Sequence, residues 1–203
     1  MGSGGHAKGV LESILAQGRY SVCGYTSPQV DHESKTFMDY PVLGNDDLIP
    51  ELVAEGLTKY IIGIGSIGDN APRKRLFDLG KKHGLTPITV IHPAATVYNS
   101  ASIESGSAIF AGAIICSSCV IGKNVIVNHG AIIDHDCRIG NHVHIAPGVC
   151  LSGSVTVDKL AHIGTGATII QGVHIGEASV IAAGAVVTHN VKAGTTVRGV
   201  PAR

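Results

Sequence analysis

The chain has 203 residues, with fifteen basic and fifteen acidic side chains, 27 glycines and no tryptophan. A formal charge of zero gives no electrostatic footprint for nucleic acid or an anionic membrane, and no apolar run reaches membrane-spanning length. The sequence shows no charged-then-apolar leader and an odd number of cysteines, so we expect a reduced, cytoplasmic protein.

The first part of the chain alternates helical and strand patterns, as a small parallel α/β domain does. Apolar spacing predicts helices over residues 9–16, 47–55 and 70–79, and strands over residues 21–26, 59–64 and 86–91. We therefore assign residues 1–92 to a Rossmann-like domain. A glycine-rich turn such as Gly4-Gly5-His6 normally follows a strand, so we expect the first strand of this domain to be missing.

A six-residue repeat governs residues 93–203. Every sixth residue is aliphatic in an unbroken run of sixteen, and a small or slim residue stands two positions before each. A triangular coil has this period, because three hexads make one eighteen-residue turn with the aliphatic side chain inside. The pattern predicts a parallel β-helix of about five coils capped by residues 192–203, with positive φ at Gly122, Gly140, Gly164 and Gly176. The sixteen aliphatic residues are Val97, Ile103, Ile109, Ile115, Ile121, Val127, Ile133, Ile139, Ile145, Leu151, Val157, Ile163, Ile169, Ile175, Ile181 and Val187.

The run Asp134-His135-Asp136 is the sharpest candidate for acid–base chemistry. Because Ile133 fills the prism, the imidazole of His135 should project outward. Two flanking carboxylates can fix one tautomer and raise its basicity, which a general base requires. A solvated surface histidine beside two carboxylates is an equally good interpretation of these residues alone.

Other histidines leave a metal site open. His144 lies half a coil after His135, so the two could meet only across a subunit interface, and His162 should stack directly above His144. Zinc would need three imidazoles and an open fourth position, with His129, His135, His144 and His162 as the available ligands. For the cysteines, including the CxxC at 116–119, we favour packing within the coil over metal or redox chemistry.

Two glycine loops of the first domain are candidates for nucleotide binding. One is Gly4-Gly5-His6 before a helix, and the other is Gly63-Ile64-Gly65-Ser66 after an apolar strand. Free backbone N–H groups in such loops can cradle a pyrophosphate. The two loops together make a nucleotide crevice more plausible than either loop alone.

The motifs, taken in chain order, resemble the PglD/NeuD-like sugar-nucleotide acetyltransferases of bacterial glycan assembly. They are a Gly-Gly-His-Ala-Lys opening, a Gly-Ile-Gly-Ser loop, a His-Pro before the coils, Asp134-His135-Asp136-Cys137 and a closing Gly-Val-Pro-Ala-Arg. The resemblance covers essentially the whole chain. It implies a left-handed parallel β-helix that forms a homotrimer with active sites between subunits, with acetyl-CoA as co-substrate and no metal.

The resemblance also implies roles for individual residues. His135 would be the general base, Asp136 would raise its basicity, and Asn128 would help to position the acceptor. His144 would contact the acetyl thioester of the neighbouring subunit's site. Backbone groups near Thr165 and Ala183 would line the pantetheine groove. The nucleotide of the acceptor would be held by Gly4, Gly5, His6, Gly65 and Ser66.

The function implied in this way is acetyl-CoA-dependent N-acetylation of a nucleotide-linked amino sugar, with UDP-4-amino-4,6-dideoxyhexose as the first candidate. The process would be bacterial surface glycan or glycoprotein biosynthesis. O-acetylation of a sugar of the sialic acid type is the closest alternative. A metal-dependent hydratase of the carbonic anhydrase type and a non-catalytic trimeric scaffold are two further alternatives. We expect neither nucleic acid nor a membrane as a partner.

Overall fold

The computed structural model describes residues 1–28 and 36–203, and shows an α/β domain followed by a β-helix. Within the described residues, the first domain contains three α-helices, one short 3-10 helix and five short strands. They are α1 (Gly5–Gln17), β1 (Tyr25–Thr26), β2 (Thr36–Phe37), β3 (Tyr40–Gly44), the 3-10 helix Asp46–Leu48, α2 (Ile49–Ala54), β4 (Lys59–Tyr60), α3 (Ala71–Lys82) and β5 (Thr86–Pro87). The three predicted helices are present. The hairpin of β2 and β3 was not predicted.

The strands predicted over residues 21–26 and 59–64 are much shorter than expected, with only two residues each. Met1 and Gly2 lie between them: Gly2 N–H donates to the Thr26 carbonyl at 2.7 Å, and Gly63 N–H donates to the Met1 carbonyl at 2.6 Å. Beside these two residues the flanking segments enclose a cavity of about 400 Å³. A β-strand forms only where an adjacent strand supplies hydrogen bonds to its backbone. This requirement explains why β1 and β4 are short.

The strand predicted over residues 86–91 is divided between the two domains. Its first half, β5, pairs in parallel with β4 of the α/β domain, whereas Val90–Ile91 (β6) pairs with Ala108–Ile109 of the β-helix. The coil therefore begins at Val90, slightly before the boundary predicted from the hexads. An aliphatic period cannot show this, because Val90 and Ile91 suit a strand of either domain.

Three parallel sheets form the sides of the prism. Face 1 contains β6, β9, β12, β15, β18, β21 and β23; face 2 contains β7, β10, β13, β16, β19 and β22; face 3 contains β8, β11, β14, β17 and β20. The strands after β6 are β7 (Thr96–Val97), β8 (Ser102–Ile103), β9 (Ala108–Ile109), β10 (Ile114–Ile115), β11 (Val120–Ile121), β12 (Ile126–Val127), β13 (Ile132–Ile133), β14 (Arg138–Ile139), β15 (His144–Ile145), β16 (Cys150–Leu151), β17 (Thr156–Val157), β18 (His162–Ile163), β19 (Thr168–Ile169), β20 (His174–Ile175), β21 (Val180–Ile181), β22 (Val186–Val187) and β23 (Thr196–Val197).

From β6 to β19, each strand pairs with the strand eighteen residues later, as the hexads predict, whereas β21 pairs with β23 sixteen residues later. The hexad aliphatic residues from Ile109 to Val187, one in every six residues, are at most 3% exposed and form the core of a left-handed β-helix. Val97 and Ile103, at the open lower end, are only partly buried. The C-terminal residues close the upper end, since Ala202 packs on the core and its N–H donates to the Val186 carbonyl.

The prediction of positive φ at Gly122, Gly140, Gly164 and Gly176 is wrong. These glycines are required for another reason: a Cβ at Gly140 or Gly164 would lie 2.6 Å from a backbone nitrogen of the next coil. Positive φ occurs instead at the second corner residue of each hexad from Ile103 to Ile181. That set is Gly106, Gly112, Ser118, Asn124, Gly130, Asp136, His142, Gly148, Ser154, Leu160, Gly166, Gly172, Ala178 and Gly184.

The α/β domain packs on the lower half of face 1. Val10 and Ile14 of α1 share one apolar cluster with Ala108, Phe110 and Ile126 of the coil. Higher up, Asn70 before α3 donates hydrogen bonds to the Leu160 and Ala161 carbonyls at 3.0 and 2.8 Å. Face 1 is thus the side on which the two domains meet. Among the described helices, none is long and apolar enough to span a bilayer.

Candidate active site

His135 stands on the edge of the prism between face 2 and face 3, and its side chain is 51% exposed, as predicted. Asp136 has φ of 60°, and this corner conformation brings its Oδ2 to 2.8 Å from His135 Nδ1. Asp134 Oδ1 accepts the backbone N–H of His135 at 2.7 Å. The hydrogen bond with Asp136, followed by the charge of Asp134, raises the pKa of His135.

Gly153 supports the His135 ring and was missed in the sequence. A Cβ at Gly153 would lie 2.5 Å from His135 Cε1 and 2.6 Å from Nε2, so the imidazole lies against the backbone of the next coil. The eighteen-residue turn could have identified Gly153, because position 153 lies one turn after position 135 and therefore next to it on the same edge. With Nδ1 bound to Asp136, Nε2 is the nitrogen that remains to accept a proton.

A pocket of about 630 Å³ lies between the two domains. It combines the predicted nucleotide residues Gly5, His6, Gly65 and Ser66 with the predicted acceptor and thioester residues Asn128 and His144, while Gly4 precedes α1 as its N-cap. The complete lining is Gly5, His6, Gly9, Gly65, Ser66, Ile67, Phe110, Asn128, His129 and His144. The two glycine loops are in contact, since a Cβ at Gly65 would be 3.3 Å from His6 Cβ.

His144 is buried and neutral. Its Nδ1 donates to the Ser66 carbonyl at 3.0 Å, which leaves Nε2 to accept from Asn128 Nδ2 at 3.4 Å. Its ring packs edge-on against His162 with 4.9 Å between centroids, and the strand register confirms that His162 lies one coil above. Burial, followed by the charge of His162, lowers the pKa of His144 to about 3.

Three rings form one wall of the pocket. Phe110 lies edge-on to His6 at 5.4 Å and is stacked on His129 at 4.9 Å. His129 Nδ1 donates to Asn128 Oδ1 at 2.8 Å, which fixes both side chains. Burial lowers the pKa of His6 to about 3, so this imidazole is also neutral. Phe110 carried no motif signal and could be found only from the packing of the two domains.

Thr165 and Ala183 are exposed on the edge between face 1 and face 2, above the pocket. His129 stands on the same edge, two turns below Thr165. His135 stands on the next edge, and within the described residues no hydrogen bond or ring contact joins it to Asn128 or His144. One chain therefore carries two groups of candidate residues at two different edges of the triangle.

Two of the five thiols, Cys119 and Cys137, pack inside the coil. Cys119 and Cys137 are buried at hexad positions, and their sulfurs approach the carbonyl oxygens of Asp134 and Ser152 at 3.0 and 3.3 Å. Cys23, Cys116 and Cys150 are also free. In the part of the chain that the structure describes, no three or more His, Cys, Asp or Glu side chains are grouped so that they could hold a metal ion.

Comparison with known proteins adds a family to this geometry. The PglD N-terminal domain model matches residues 1–79, and the model for the bacterial transferase hexapeptide (six repeats) matches residues 118–153. A search of curated proteins by sequence found no match.

Several solved structures match the whole chain. PerB from Caulobacter crescentus, in complex with CoA and GDP-perosamine, is 37% identical with a TM-score of 0.92, over 100% of this chain and 93% of that one. The acetyltransferase domain of PglB from Neisseria gonorrhoeae, in complex with acetyl coenzyme A, is 33% identical with a TM-score of 0.91, over 100% and 95%. WeeI from Acinetobacter baumannii is 30% identical with a TM-score of 0.87, over 100% and 96%. The motifs, the two domains and these matches agree, and the chain belongs to the PglD family of hexapeptide-repeat sugar acetyltransferases.

Proposed function

We propose that the protein transfers the acetyl group of acetyl-CoA to the amino group of a nucleotide-linked sugar, in bacterial surface glycan or glycoprotein biosynthesis. The observation that carries this proposal is the exposed His135–Asp136 pair, whose Nδ1–Oδ2 distance is 2.8 Å. A 4-amino-4,6-dideoxyhexose linked to UDP is the first candidate acceptor. The GDP-perosamine held by PerB makes a GDP-linked sugar the direct rival.

His135 Nε2 would take a proton from the sugar amine as its nitrogen attacks the thioester carbonyl. The new C–N bond forms, the carbonyl oxygen becomes an oxyanion, and collapse breaks the C–S bond to release the CoA thiolate, which is then protonated. Gly153 lies against the His135 ring, and no described residue accepts its backbone N–H. It is therefore a candidate donor to the oxyanion. Much of the rate would come from holding amine and thioester together.

The two groups of candidate residues support a homotrimer with sites between subunits. His135 is on one edge of the prism, whereas Asn128, His144, Thr165 and Ala183 are on or beside another. A cyclic trimer would bring the first edge of one prism to the second edge of its neighbour. Face 2, between these edges, exposes apolar side chains such as Ile132, which is 38% exposed.

Within that cleft, the pantetheine arm of the coenzyme would run along the edge that carries Thr165 and Ala183. Its thioester would reach the level of His144 and His135. The nucleotide of the acceptor would lie against Gly4, Gly5, His6, Gly65 and Ser66, and Asn128 would orient the sugar. The volume of the domain pocket, about 630 Å³, suits part of a nucleotide sugar.

The test is thiol release with acetyl-CoA and a panel of acceptors: UDP- and GDP-linked 4-amino-4,6-dideoxyhexoses, other UDP-amino sugars and free sialic acid. We expect turnover on a nucleotide-linked amino sugar and a loss of at least about a thousandfold in His135→Ala. Since His135 is half exposed, the variant should keep the melting temperature of the wild type. Activity on sialic acid alone would refute the proposal.

A further inference from the structure

A buried cation lies behind the second glycine loop. Arg73, in the first turn of α3, is 1% exposed; its Nη1 donates to the Ile64 carbonyl and its Nη2 donates to Asn124 Oδ1 at 2.8 Å. Its Nε has no hydrogen-bond partner among the residues that the structure describes. Across residues 1–28 and 36–203, no carboxylate forms an ion pair with this guanidinium. A buried charge without a countercharge is unfavourable, and an anion bound nearby would compensate it.

The contacts of Arg73 tie the loop to the coil. Ile64 immediately precedes Gly65 in the pocket wall, and Asn124 is fully buried in the corner of the coil below. Asn70, three residues before Arg73, is hydrogen-bonded to the Ser66 hydroxyl and donates to Ala161. Ser66 is held in turn by His144 Nδ1. The loop therefore has one fixed position relative to face 1.

The positive charge of Arg73 reaches into the pocket. After desolvation, it is among the causes that lower the pKa values of His6 and His144, and both imidazoles line the pocket. These two rings stay neutral at physiological pH. The described lining residues include no lysine or arginine, and the guanidinium of Arg73 lies directly behind the loop, bonded to the carbonyl of the residue that precedes Gly65.

We propose that Arg73 is a positioning residue for the diphosphate of the acceptor, acting through the glycine loop and through its unpaired charge without touching the ligand. The loop N–H groups at Gly65 and Ser66 would donate hydrogen bonds to the phosphate oxygens, and the guanidinium behind them would supply the positive potential. This inference rests on the proposed function, because it assumes a nucleotide-linked acceptor.

The test is Asn124→Asp, which keeps the hydrogen-bond acceptor for Arg73 Nη2 and adds a countercharge. Binding of UDP, GDP, uridine and guanosine to the full-length protein is measured by calorimetry. We expect diphosphate binding to weaken about tenfold, because the field of Arg73 is neutralised, while binding of the neutral nucleosides is unchanged. The matched control is Asn190→Asp, which adds the same charge in the last coil and should affect neither class.

The remaining outcomes separate the two claims. If wild-type protein binds a nucleoside diphosphate and Asn124→Asp binds it equally well with an unchanged melting temperature, the role of Arg73 is refuted and the proposed function stands. If wild-type protein binds neither diphosphate, the nucleotide part of the proposed function fails as well. Arg73→Lys should retain the preference for diphosphate over nucleoside, because it keeps the charge. Loss of that preference in folded Arg73→Lys would refute the role of the charge.

Discussion

The Asp136 carboxylate can reach the imidazole of the preceding residue, His135, because Asp136 occupies the corner position with positive φ. Adjacent side chains on a strand point to opposite faces, whereas at this corner the chain turns and both point outward. The resulting Nδ1–Oδ2 contact of 2.8 Å is formed before any substrate binds. The pair is therefore preorganised by a corner conformation that the hexads from Ile103 to Ile181 share.

Asp136→Asn should shift the pH dependence of catalysis. The wild-type pKa of His135 is raised by Asp136, and the general base works only when deprotonated, so activity should rise with pH through that raised value. Removing the charge lowers the pKa, so the acidic limb of kcat/KM should move to lower pH while the plateau falls by about ten- to a hundredfold. An acidic limb that stays in place would mean that another group controls it.

At the level of the element, face 1 is unusual because two of its outward residues, His144 and His162, are buried imidazoles, with a third, His142, buried at its edge. His142, His144 and His162 lie under the α/β domain, and burial lowers the pKa of each. Asn124 holds His142 at 3.0 Å, and Ser66 holds His144. The Asn124–His142 bond needs a neutral ring, because the imidazole accepts from Asn124 Nδ2, and the charge of Arg73 also lowers the pKa of His142 and of His144.

Acid should therefore weaken the contact between the two domains. A histidine whose folded pKa is depressed contributes stability above its unfolded pKa near 6.5, and this stability is lost as pH falls toward the folded value, about 4 for His142 and about 3 for His144. We expect the melting temperature to fall by several degrees between pH 7 and pH 5. His142→Gln should reduce this slope, and exposed His189→Gln serves as its control. Equal slopes in all three proteins would contradict the prediction.

Glycines of the coil should divide into two classes. Gly140→Ala places a Cβ 2.6 Å from a backbone nitrogen, so we expect about 1–3 kcal/mol of destabilisation in urea unfolding. Gly148→Ala has open space and only the positive φ of 67°, which Leu160 and Ala178 also adopt, so about 1 kcal/mol is expected. Greater destabilisation by Gly148→Ala would show that backbone conformation, and not the close approach of coils, dominates.

The sequence predicted the coil well because its signal is redundant. Sixteen aliphatic residues must all face inward, and a slip at Ile133 would have to be repeated at Ile139 and Ile145. The α/β domain lacks such redundancy. Its strands depend on neighbours that are distant in the chain. The local sequence of residues 21–26 and 59–64 therefore predicted two six-residue strands, whereas pairing with a neighbouring strand extends over only two residues of each. The same limit hid Phe110 and Arg73, whose roles arise where α1 and α3 meet face 1.

At the scale of the whole molecule, the proposed site should be divisible between subunits. Co-expression of His135→Ala with Asn128→Ala would give mixed trimers in which some clefts combine an intact His135 edge with an intact Asn128 edge. With random mixing, about a quarter of the clefts should be intact, so activity should return to about a quarter of the wild-type value. Each variant alone stays impaired. Activity no greater than the average of the two variants would place the whole site in one subunit, and a monomer in light scattering would refute the trimer.

Because one turn takes eighteen residues, the distance between two residues on one edge of the prism follows from the number of turns between them. Ala183 stands three turns above His129 on one edge, on the order of 14 Å at the usual strand spacing. On the proposed function, that height is the length over which the edge contacts the pantetheine arm of the coenzyme, measured from the level of the reacting carbon. Length along this edge can change only in steps of a whole turn. Losing a single residue would instead rotate every later side chain out of its stack.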